Sequence, residues 1–300
     1  MLAGAAALPQ SRGNPEEVAM AELDLEAEYN NRARVPEHAE IFLRWAGEAQ
    51  DYRAEMLKAG RAELELPYGD TPRQTVDLFA AEKAEGAPLA MFVHGGWWRS
   101  LEPSTFSQMA RGLNASGATV AVVGYDLCPN VTIAEIVEQI RRACAFLWQR
   151  LGRRMLVYGH SAGGHLAAAM VATDWASLYP KAPPDLVPAA WAVSGVFDLS
   201  PLVGISVNQD LRLDAEEARR QSPAYWPVPA GRVFDAVVGG LESSEFKRQS
   251  QLIAQTWRGK AETRYEEVSG TNHFTVIDAL ADPQSAMTRR VAELARRTAA

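Results

Sequence analysis

The chain has 300 residues, of which 47% are hydrophobic, and it carries a formal net charge of -7. This length and apolar content suffice for one large hydrophobic core. The negative charge, without any basic cluster, excludes the electrostatic footprint of a nucleic-acid-binding protein. The only two cysteines, Cys128 and Cys144, are too few for a disulfide framework and lack the spacing of metal ligands.

The amino-terminal segment lacks the features of a secretory signal. Its alanine-rich start has no preceding positive residues, its apolar run is short, and Pro9 follows directly. No later apolar run is long enough to span a bilayer. We therefore predict a flexible leader over residues 1–18, a single domain over residues 19–300, no membrane partner and a cytoplasmic location.

Residues 19–60 have helical periodicity and are divided by Pro36 into two segments. One interpretation is a pair of surface helices packed on the body of the protein. The other is that this arm forms part of a cap, in which case Tyr29, Asn30 and Asn31 would face the substrate.

From residue 62 onward the pattern changes to strands. The short alternating segments over residues 62–78 predict an antiparallel hairpin at a sheet edge. Thr132 and Glu135 form a capping box at the start of a helix over residues 132–150. Further strands are predicted at residues 89–93, 119–125, 155–158, 189–193, 233–238 and 263–268. Because the helix over residues 132–150 and a helix after the strand at 155–158 alternate with these strands, we predict an α/β fold: a doubly wound, mostly parallel sheet with helices on both faces and a small cap.

The strand at 155–158 leads into Gly159-His160-Ser161-Ala162-Gly163, which has the pattern G-x-S-x-G. In a nucleophile elbow, such glycines let a strand and a helix approach closely while the serine hydroxyl is exposed on a strained turn. The helix that follows directs its N-terminus to the place where an oxyanion would form. The pattern predicts Ser161 as a nucleophile, provided that the chain supplies the other catalytic parts.

A second glycine motif, His94-Gly95-Gly96-Trp97-Trp98, follows the strand at 89–93. A glycine pair at this point allows backbone N–H groups to turn toward an oxyanion, although it could also be a simple turn that ends a strand. Because G-x-S-x-G lies downstream, we predict that the amides of Gly95, Gly96 and Ala162 form an oxyanion hole.

An acid and a histidine follow the last two predicted strands. Glu242 comes just after the strand at 233–238, whereas Asp235 lies inside it, at the wrong height for a catalytic acid. His273 follows the final strand, and the order Ser161, Glu242, His273 is that of nucleophile-elbow hydrolases. We expect different roles for His94, which would brace the glycine loop, and for His165, which would point away along its helix.

The residues that would contact a substrate are less sharply defined. Residues 199–230 lack strand periodicity and are predicted to lie over the carboxyl ends of the strands, where ligands bind in such folds. This insertion and the arm would together form the cap. The candidate pocket residues are Trp97, Trp98, Tyr125, His160, Leu202, Tyr225 and Trp226. The two tryptophans, with Tyr125, would form an aromatic wall that favours an aryl leaving group, and the residues of the insertion could instead simply pack it.

These motifs resemble the arylformamidase (kynurenine formamidase) branch of the alpha/beta-hydrolases, which is close to the hormone-sensitive-lipase-like carboxylesterases. The resemblance rests on residues 94–98, 159–165, 195–199 and 242–250 and covers about residues 28–300. Lipase-like esterases usually have a third glycine where Trp97 stands, so the motif favours the formamidase branch. The acid of the family is commonly Asp, and Glu242 departs from this pattern, although its longer side chain can still orient an imidazole.

The resemblance implies a serine hydrolase that cleaves a small ester or an aryl formamide similar to N-formylkynurenine through an acyl-enzyme. It implies no cofactor and no metal, and a small-molecule acyl or formyl substrate; a homodimer is left open. The alternatives are a general short-chain carboxylesterase and a catalytically inactive hydrolase-fold protein that binds ligands. A peptidase of this fold usually has a propeller or a larger cap, for which the chain has no room.

Overall fold

A computed structural model describes residues 23–299, so the predicted leader over residues 1–18 lies outside the described residues. An eight-stranded sheet crosses the molecule in the order β1-β2-β4-β3-β5-β6-β7-β8. The first two strands pair antiparallel and β2 pairs antiparallel with β4, while all other neighbours are parallel. The strands are β1 Ala62–Pro67, β2 Thr75–Phe79, β3 Leu89–Val93, β4 Thr119–Val123, β5 Met155–His160, β6 Ala189–Val193, β7 Val233–Gly239 and β8 Glu262–Val268.

Helices cover both faces of this sheet and also form the arm and the insertion. The α-helices are α1 Leu25–Tyr29, α2 Asn31–Arg34, α3 His38–Lys58, α4 Arg111–Ala115, α5 Ile133–Leu151, α6 Ala162–Ala172, α7 Trp175–Leu178, α8 Asn208–Leu211, α9 Ala215–Arg220, α10 Ser244–Thr256 and α11 Ala286–Ala299. Short 3₁₀ helices span Pro103–Ala110, Ser200–Gly204, Pro223–Tyr225 and Thr275–Ala281. Within residues 23–299, no helix combines the length and the apolar character that a membrane crossing requires.

Two hydrophobic cores lie on opposite faces of the sheet. One contains Ile140 of α5 and Leu166 of α6, and the other contains Tyr52 of α3 and Leu294 of α11. Every position of β3, β4, β5 and β6 is buried, because helices cover both sides of these strands. The α/β class and the mostly parallel sheet are therefore confirmed, as is the edge hairpin of β1 and β2.

The sequence prediction differs from the structure in several helical regions, among them α7 to α11, which it did not include. The arm contains three helices rather than two, because Asn30 ends α1 and its side chain then caps α2 by accepting a hydrogen bond from the Ala33 amide. Pro36 separates α2 from α3 as predicted. The helical stretch between β3 and β4 had no counterpart in the predicted elements.

The arm is attached to the body by carboxylates of α1. Glu28 accepts hydrogen bonds from the Ser244 hydroxyl and the Glu245 amide at the start of α10. Glu26 accepts two from Ser206 in the insertion. The Tyr29 hydroxyl donates to the Glu245 carboxylate at 2.8 Å. The arm thus packs on the body next to the carboxyl ends of the strands; a cap role for the arm and the insertion stays a prediction.

Candidate active site

Ser161 lies on the turn between β5 and α6 in a strained backbone conformation. Its φ is 57° and its ψ is -119°, a combination that non-glycine residues rarely adopt. The turn is possible because a Cβ is absent at Gly163, where it would lie 1.9 Å from the carbonyl oxygen of Val93. The same holds for Gly95, where a Cβ would lie 2.9 Å from the Cβ of Ser161. These contacts pack β3, the turn and α6 against one another and fix the serine at their junction.

A continuous chain of hydrogen bonds runs from Ser161 through His273 to Glu242. The Oγ of Ser161 is 3.1 Å from Nε2 of His273, and Nδ1 of His273 is 2.6 Å from Oε2 of Glu242. All three side chains are at most 8% exposed. With the proton on Nδ1, the imidazole donates to the carboxylate and Nε2 is left to accept from the hydroxyl.

The second oxygen of the Glu242 carboxylate is held by two donors. Its Oε1 accepts from the Gly239 amide at 2.6 Å and from the Ser194 hydroxyl. Ser194 is fully buried directly after β6, with a φ of 52°. Ser194 was not among the predicted site residues, although its place at the end of a strand next to β7 was a signal. These donors fix the carboxylate, so the other oxygen faces His273.

The three predicted oxyanion donors lie around Ser161. Gly95 packs on Ser161, Gly96 lines the cavity next to it, and Ala162 is the first residue of α6. Their amides donate to no backbone carbonyl among residues 23–299. Unpaired amides beside a nucleophile are the donors that a developing oxyanion requires; the oxyanion hole itself stays a prediction.

Two buried histidines hold the loops around the nucleophile. His94 stacks on Tyr125 at a centroid distance of 4.4 Å, and its Nδ1 donates to the carbonyl of Gly95 at 2.7 Å. Burial lowers the pKa of His94 to about 4, so the ring is neutral. His160 donates from Nε2 to the carbonyl of His273 at 2.7 Å, and burial, together with nearby His273, lowers its pKa well below the usual value.

His165 has no place in the cavity wall. Its Nε2 donates to the carbonyl of Gln221 at 2.7 Å, and burial lowers its pKa to about 4. Its ring meets that of Trp98 edge-on at 5.0 Å. The ring therefore lies on the side of α6 that packs against the insertion, in agreement with the prediction that it points away from Ser161.

A cavity of about 360 Å³ opens onto Ser161 and His273. Its wall combines aromatic rings with a few polar and charged side chains. The lining residues are Asn30, Asn31, Arg32, Phe42, Trp45, Gly96, Trp97, Arg99, Ser100, Leu101, Phe106, His160, Ser161, Asp210, His273 and Phe274. Trp97, His160, Asn30 and Asn31 lie on this wall as predicted, whereas Tyr29 is buried outside it, with its hydroxyl on Glu245.

Two members of the predicted aromatic wall lie elsewhere, which corrects that prediction. Trp98 is fully buried behind the glycine loop, against His165. Tyr125 is also fully buried, and its hydroxyl donates to the carbonyl of His94 at 2.9 Å. Both side chains support the glycine loop from behind, so neither ring can touch a ligand in the cavity.

The pocket residues predicted in the insertion also lie outside the cavity wall. Tyr225 is 42% exposed and stacks under the guanidinium of Arg219. Trp226 donates from its indole to the carbonyl of Arg220, and Leu202 is fully buried. These three side chains pack the insertion on itself. Asp210 is the residue through which the insertion reaches the cavity.

Four of the aromatic residues that line the cavity were not among the predicted pocket residues. Phe42 and Trp45 lie three positions apart on α3, Phe106 comes from the 3₁₀ helix after β3, and Phe274 follows His273. The Trp45 indole donates to the Asp278 carboxylate at 2.9 Å, which fixes the ring. Among residues 23–299, no three His, Cys, Asp or Glu side chains are grouped as metal ligands would be.

The family model and the relatives that match this chain are all hydrolases by name. A family model described as "alpha/beta hydrolase fold" matches residues 90–297. The chain is 31% identical to a kynurenine formamidase of Danio rerio, with 75% of this chain and 79% of that protein covered. It is 33% identical to a kynurenine formamidase of Salmo salar, with 73% and 77% covered.

Solved structures show the same architecture. A putative thioesterase from Silicibacter sp. TM1040 is 33% identical and has a TM-score of 0.79, with 90% of this chain and 99% of that chain covered. A thermostable carboxylesterase from a metagenomic library has a TM-score of 0.62 over 80% of this chain and 87% of that chain. Because that carboxylesterase is only 19% identical, it bears on the fold alone.

Proposed function

The chain belongs to the alpha/beta-hydrolase family and is a hydrolase, and from this we propose that it is a serine hydrolase that cleaves a small ester or an aryl formamide through an acyl-enzyme. The observation that carries the proposal is the unbroken hydrogen-bond chain from Ser161 to Glu242, which opens on an aromatic cavity. Each of its three members has the chemistry and the position that acyl transfer requires.

The first half of the reaction forms the acyl-enzyme. His273 accepts the Ser161 proton at Nε2 while Oγ attacks the substrate carbonyl carbon, and Glu242 stabilises the resulting imidazolium through Nδ1–H. The amides of Gly95, Gly96 and Ala162 stabilise the oxyanion, each by about 3 kcal/mol. The tetrahedral intermediate then collapses: the bond to the leaving group breaks, and that group takes the proton from His273.

The second half releases the acid. His273 removes a proton from a water molecule, the hydroxide attacks the acyl carbon, and a second oxyanion forms in the same place. When it collapses, the Ser161 oxygen leaves and recovers its proton from Nε2. The products are a carboxylic acid, formate in the case of a formamide, and an amine or alcohol.

The dimensions and lining of the cavity support a small aromatic substrate. Its volume of about 360 Å³ is near the lower end for ligand pockets, and five aromatic rings line it: Phe42, Trp45, Trp97, Phe106 and Phe274. The relatives named kynurenine formamidase favour an aryl formamide similar to N-formylkynurenine. The 33%-identical putative thioesterase favours the second candidate, a general short-chain carboxylesterase or thioesterase. An inactive ligand-binding protein has no support from a site whose triad geometry is complete.

A fluorophosphonate probe tests the nucleophile. We expect the probe to label the protein, Ser161→Ala to abolish both labelling and hydrolysis, and the control Ser116→Ala, at the end of α4, to leave both unchanged. Comparing kcat/KM for N-formylkynurenine and phenyl acetate then separates the two candidates. Labelling that persists in Ser161→Ala would overturn the proposal, and hydrolysis of the ester alone would select the carboxylesterase.

A further inference from the structure

Arg32 is a cation on the cavity wall that has no anionic partner in the structure. It lies on α2, is exposed and lines the cavity that contains Ser161. None of the ion pairs among residues 23–299 includes it, whereas Arg34, two positions away on the same helix, pairs with Glu28 at 3.7 Å. Arginine is suited to bind carboxylates because its planar guanidinium presents several donors in a fixed geometry.

Arg32 and His273 are connected by a series of edge-to-face ring contacts. The guanidinium carbon of Arg32 lies 5.7 Å from the centre of the Phe42 ring. The rings of Phe42 and Phe274 are 5.1 Å apart, and Phe274 lies 5.4 Å from the His273 ring. Successive ring contacts therefore link Arg32 to His273 along the cavity wall. In the proposed reaction His273 protonates the leaving group, which places the leaving group next to this part of the wall.

The other charged residues of the cavity wall neutralise each other. Arg99, from the loop after β3, is paired with Asp210 of the insertion. His160, also on the wall, is neutral because burial lowers its pKa well below the usual value. The remaining charge on the wall is the cation of Arg32, in a chain whose net charge is -7. A local positive charge of this kind attracts anions to the site.

Asn31 provides a second, independent sign of a polar ligand group. Its side chain lines the same cavity and is only 5% exposed. The Nδ2 atom of this buried side chain has no hydrogen-bond partner among the described residues. A buried donor without a partner is costly and is normally satisfied by water or by a ligand. Asn31 lines this cavity and a second one beside Glu242, so the buried donor lies between the two cavities, next to Arg32 on the arm.

We propose that Arg32 is a specificity-determining residue that binds a carboxylate carried by the leaving group of the substrate. This inference rests on the proposed serine hydrolase function and adds a substrate class to it: anionic aryl leaving groups. The rings of the cavity take the aryl portion, the carboxylate reaches outward to the guanidinium of Arg32, and the carbonyl stays at Ser161.

Two esters that differ by one negative charge and one methyl group test the inference: 3-acetoxybenzoate and its methyl ester. The measured quantity is the ratio of kcat/KM for the acid to that for the methyl ester. We expect Arg32→Gln to lower this ratio about tenfold, mainly through a higher KM for the acid. Added salt should lower the ratio in the parent protein but not in Arg32→Gln, because an exposed ion pair is screened.

Two further variants separate charge from packing. Arg32→Lys keeps the cation and should retain most of the preference for the acid. Arg34→Gln removes a cation from the same helix outside this cavity and should leave the ratio unchanged. An unchanged ratio in Arg32→Gln, a loss in Arg32→Lys as large as in Arg32→Gln, or an equal loss in Arg34→Gln would each overturn the inference. The proposed function fails separately, if Ser161→Ala still hydrolyses the methyl ester.

Discussion

The inner and outer walls of the catalytic cavity are built in different ways. The inner wall, formed by Gly96, Ser161 and His273, comes from segments that follow parallel strands of the sheet. The outer wall consists of Asn30, Asn31, Arg32, Phe42 and Trp45 from the arm and Asp210 from the insertion. The sheet therefore determines the position of the proposed chemical groups, whereas recognition depends on elements docked onto it. We expect changes in the inner wall to lower kcat and changes in the outer wall to raise KM.

The largest effect is expected behind the inner wall, at Glu242. In Glu242→Gln the amide oxygen can still accept from Gly239 and Ser194, so the NH₂ group faces Nδ1 of His273. This favours the wrong imidazole tautomer, and kcat should fall by about 10⁴-fold with little change in KM. Steady-state kinetics with phenyl acetate measures kcat and KM. An unchanged far-UV circular dichroism spectrum shows that the variant is folded.

The control for Glu242→Gln is Glu245→Gln. Glu245 is also buried, but its carboxylate binds Tyr29 and Arg248 rather than His273. Its replacement should lower kcat by less than about tenfold. A comparable loss of kcat in both variants would contradict the assignment of Glu242 as the acid.

A smaller effect concerns the stability of the folded chain in acid, through two buried histidines behind the inner wall. Burial lowers the pKa of His94 and of His165 to about 4, from the usual 6.5. The unfolded chain therefore takes up protons near pH 6.5 while the folded chain does not. The free energy of unfolding should fall as the pH drops from about 6.5 to about 5, by up to about 1.4 kcal/mol per pH unit for each histidine.

Urea unfolding at a series of pH values measures this slope. His165→Gln, whose amide can still donate to the Gln221 carbonyl, should reduce the slope by about one proton. Ring signals of His94 or His165 that titrate near pH 6.5 in the folded protein would show that these histidines are not the source of the acid sensitivity.

The smallest of the three effects is expected at the outer wall. Phe42 lies 5.1 Å from Phe274 and 5.4 Å from Trp45, so Phe42→Ala opens the aromatic wall without touching the triad. For an aryl ester, KM should rise about tenfold and kcat should change less than about threefold. Leu43→Ala is the matched control, because Leu43 is the next residue on α3 and is 76% exposed. If kcat fell more than KM rose, the division between the walls would be wrong.

The sequence predicted the inner wall because local rules govern it. Ser161, Glu242 and His273, the predicted nucleophile, acid and base, each follow a strand, and parallel strands bring those positions to one edge of the sheet. The family match confirms the predicted fold class and the resemblance on which it rested. The same rule applies to Ser194, which follows β6, and would have marked it as a neighbour of Glu242.

The outer wall could not be predicted because it depends on tertiary packing. The periodicity of α3 shows that Phe42 and Trp45 lie on its apolar face, but not that part of this face meets the cavity rather than the core. The sequence also could not show which of the two tryptophans after Gly96 lines the cavity. Trp97 and Trp98 have φ values of 55° and 52°, so the backbone turns sharply and one ring lines the cavity while the other is buried.

The absence of a side chain at Gly163 also bears on how this protein can diverge. Because any Cβ there would overlap the carbonyl of Val93, no residue with a side chain can replace Gly163 unless β3 and α6 move apart. The cavity-lining part of the arm is joined to the body by hydrogen bonds of α1 and α3 and by aromatic packing, and such contacts can be replaced one at a time. A lineage descended from this protein can therefore acquire new substrates by remodelling residues 25–45 while its elbow stays unchanged.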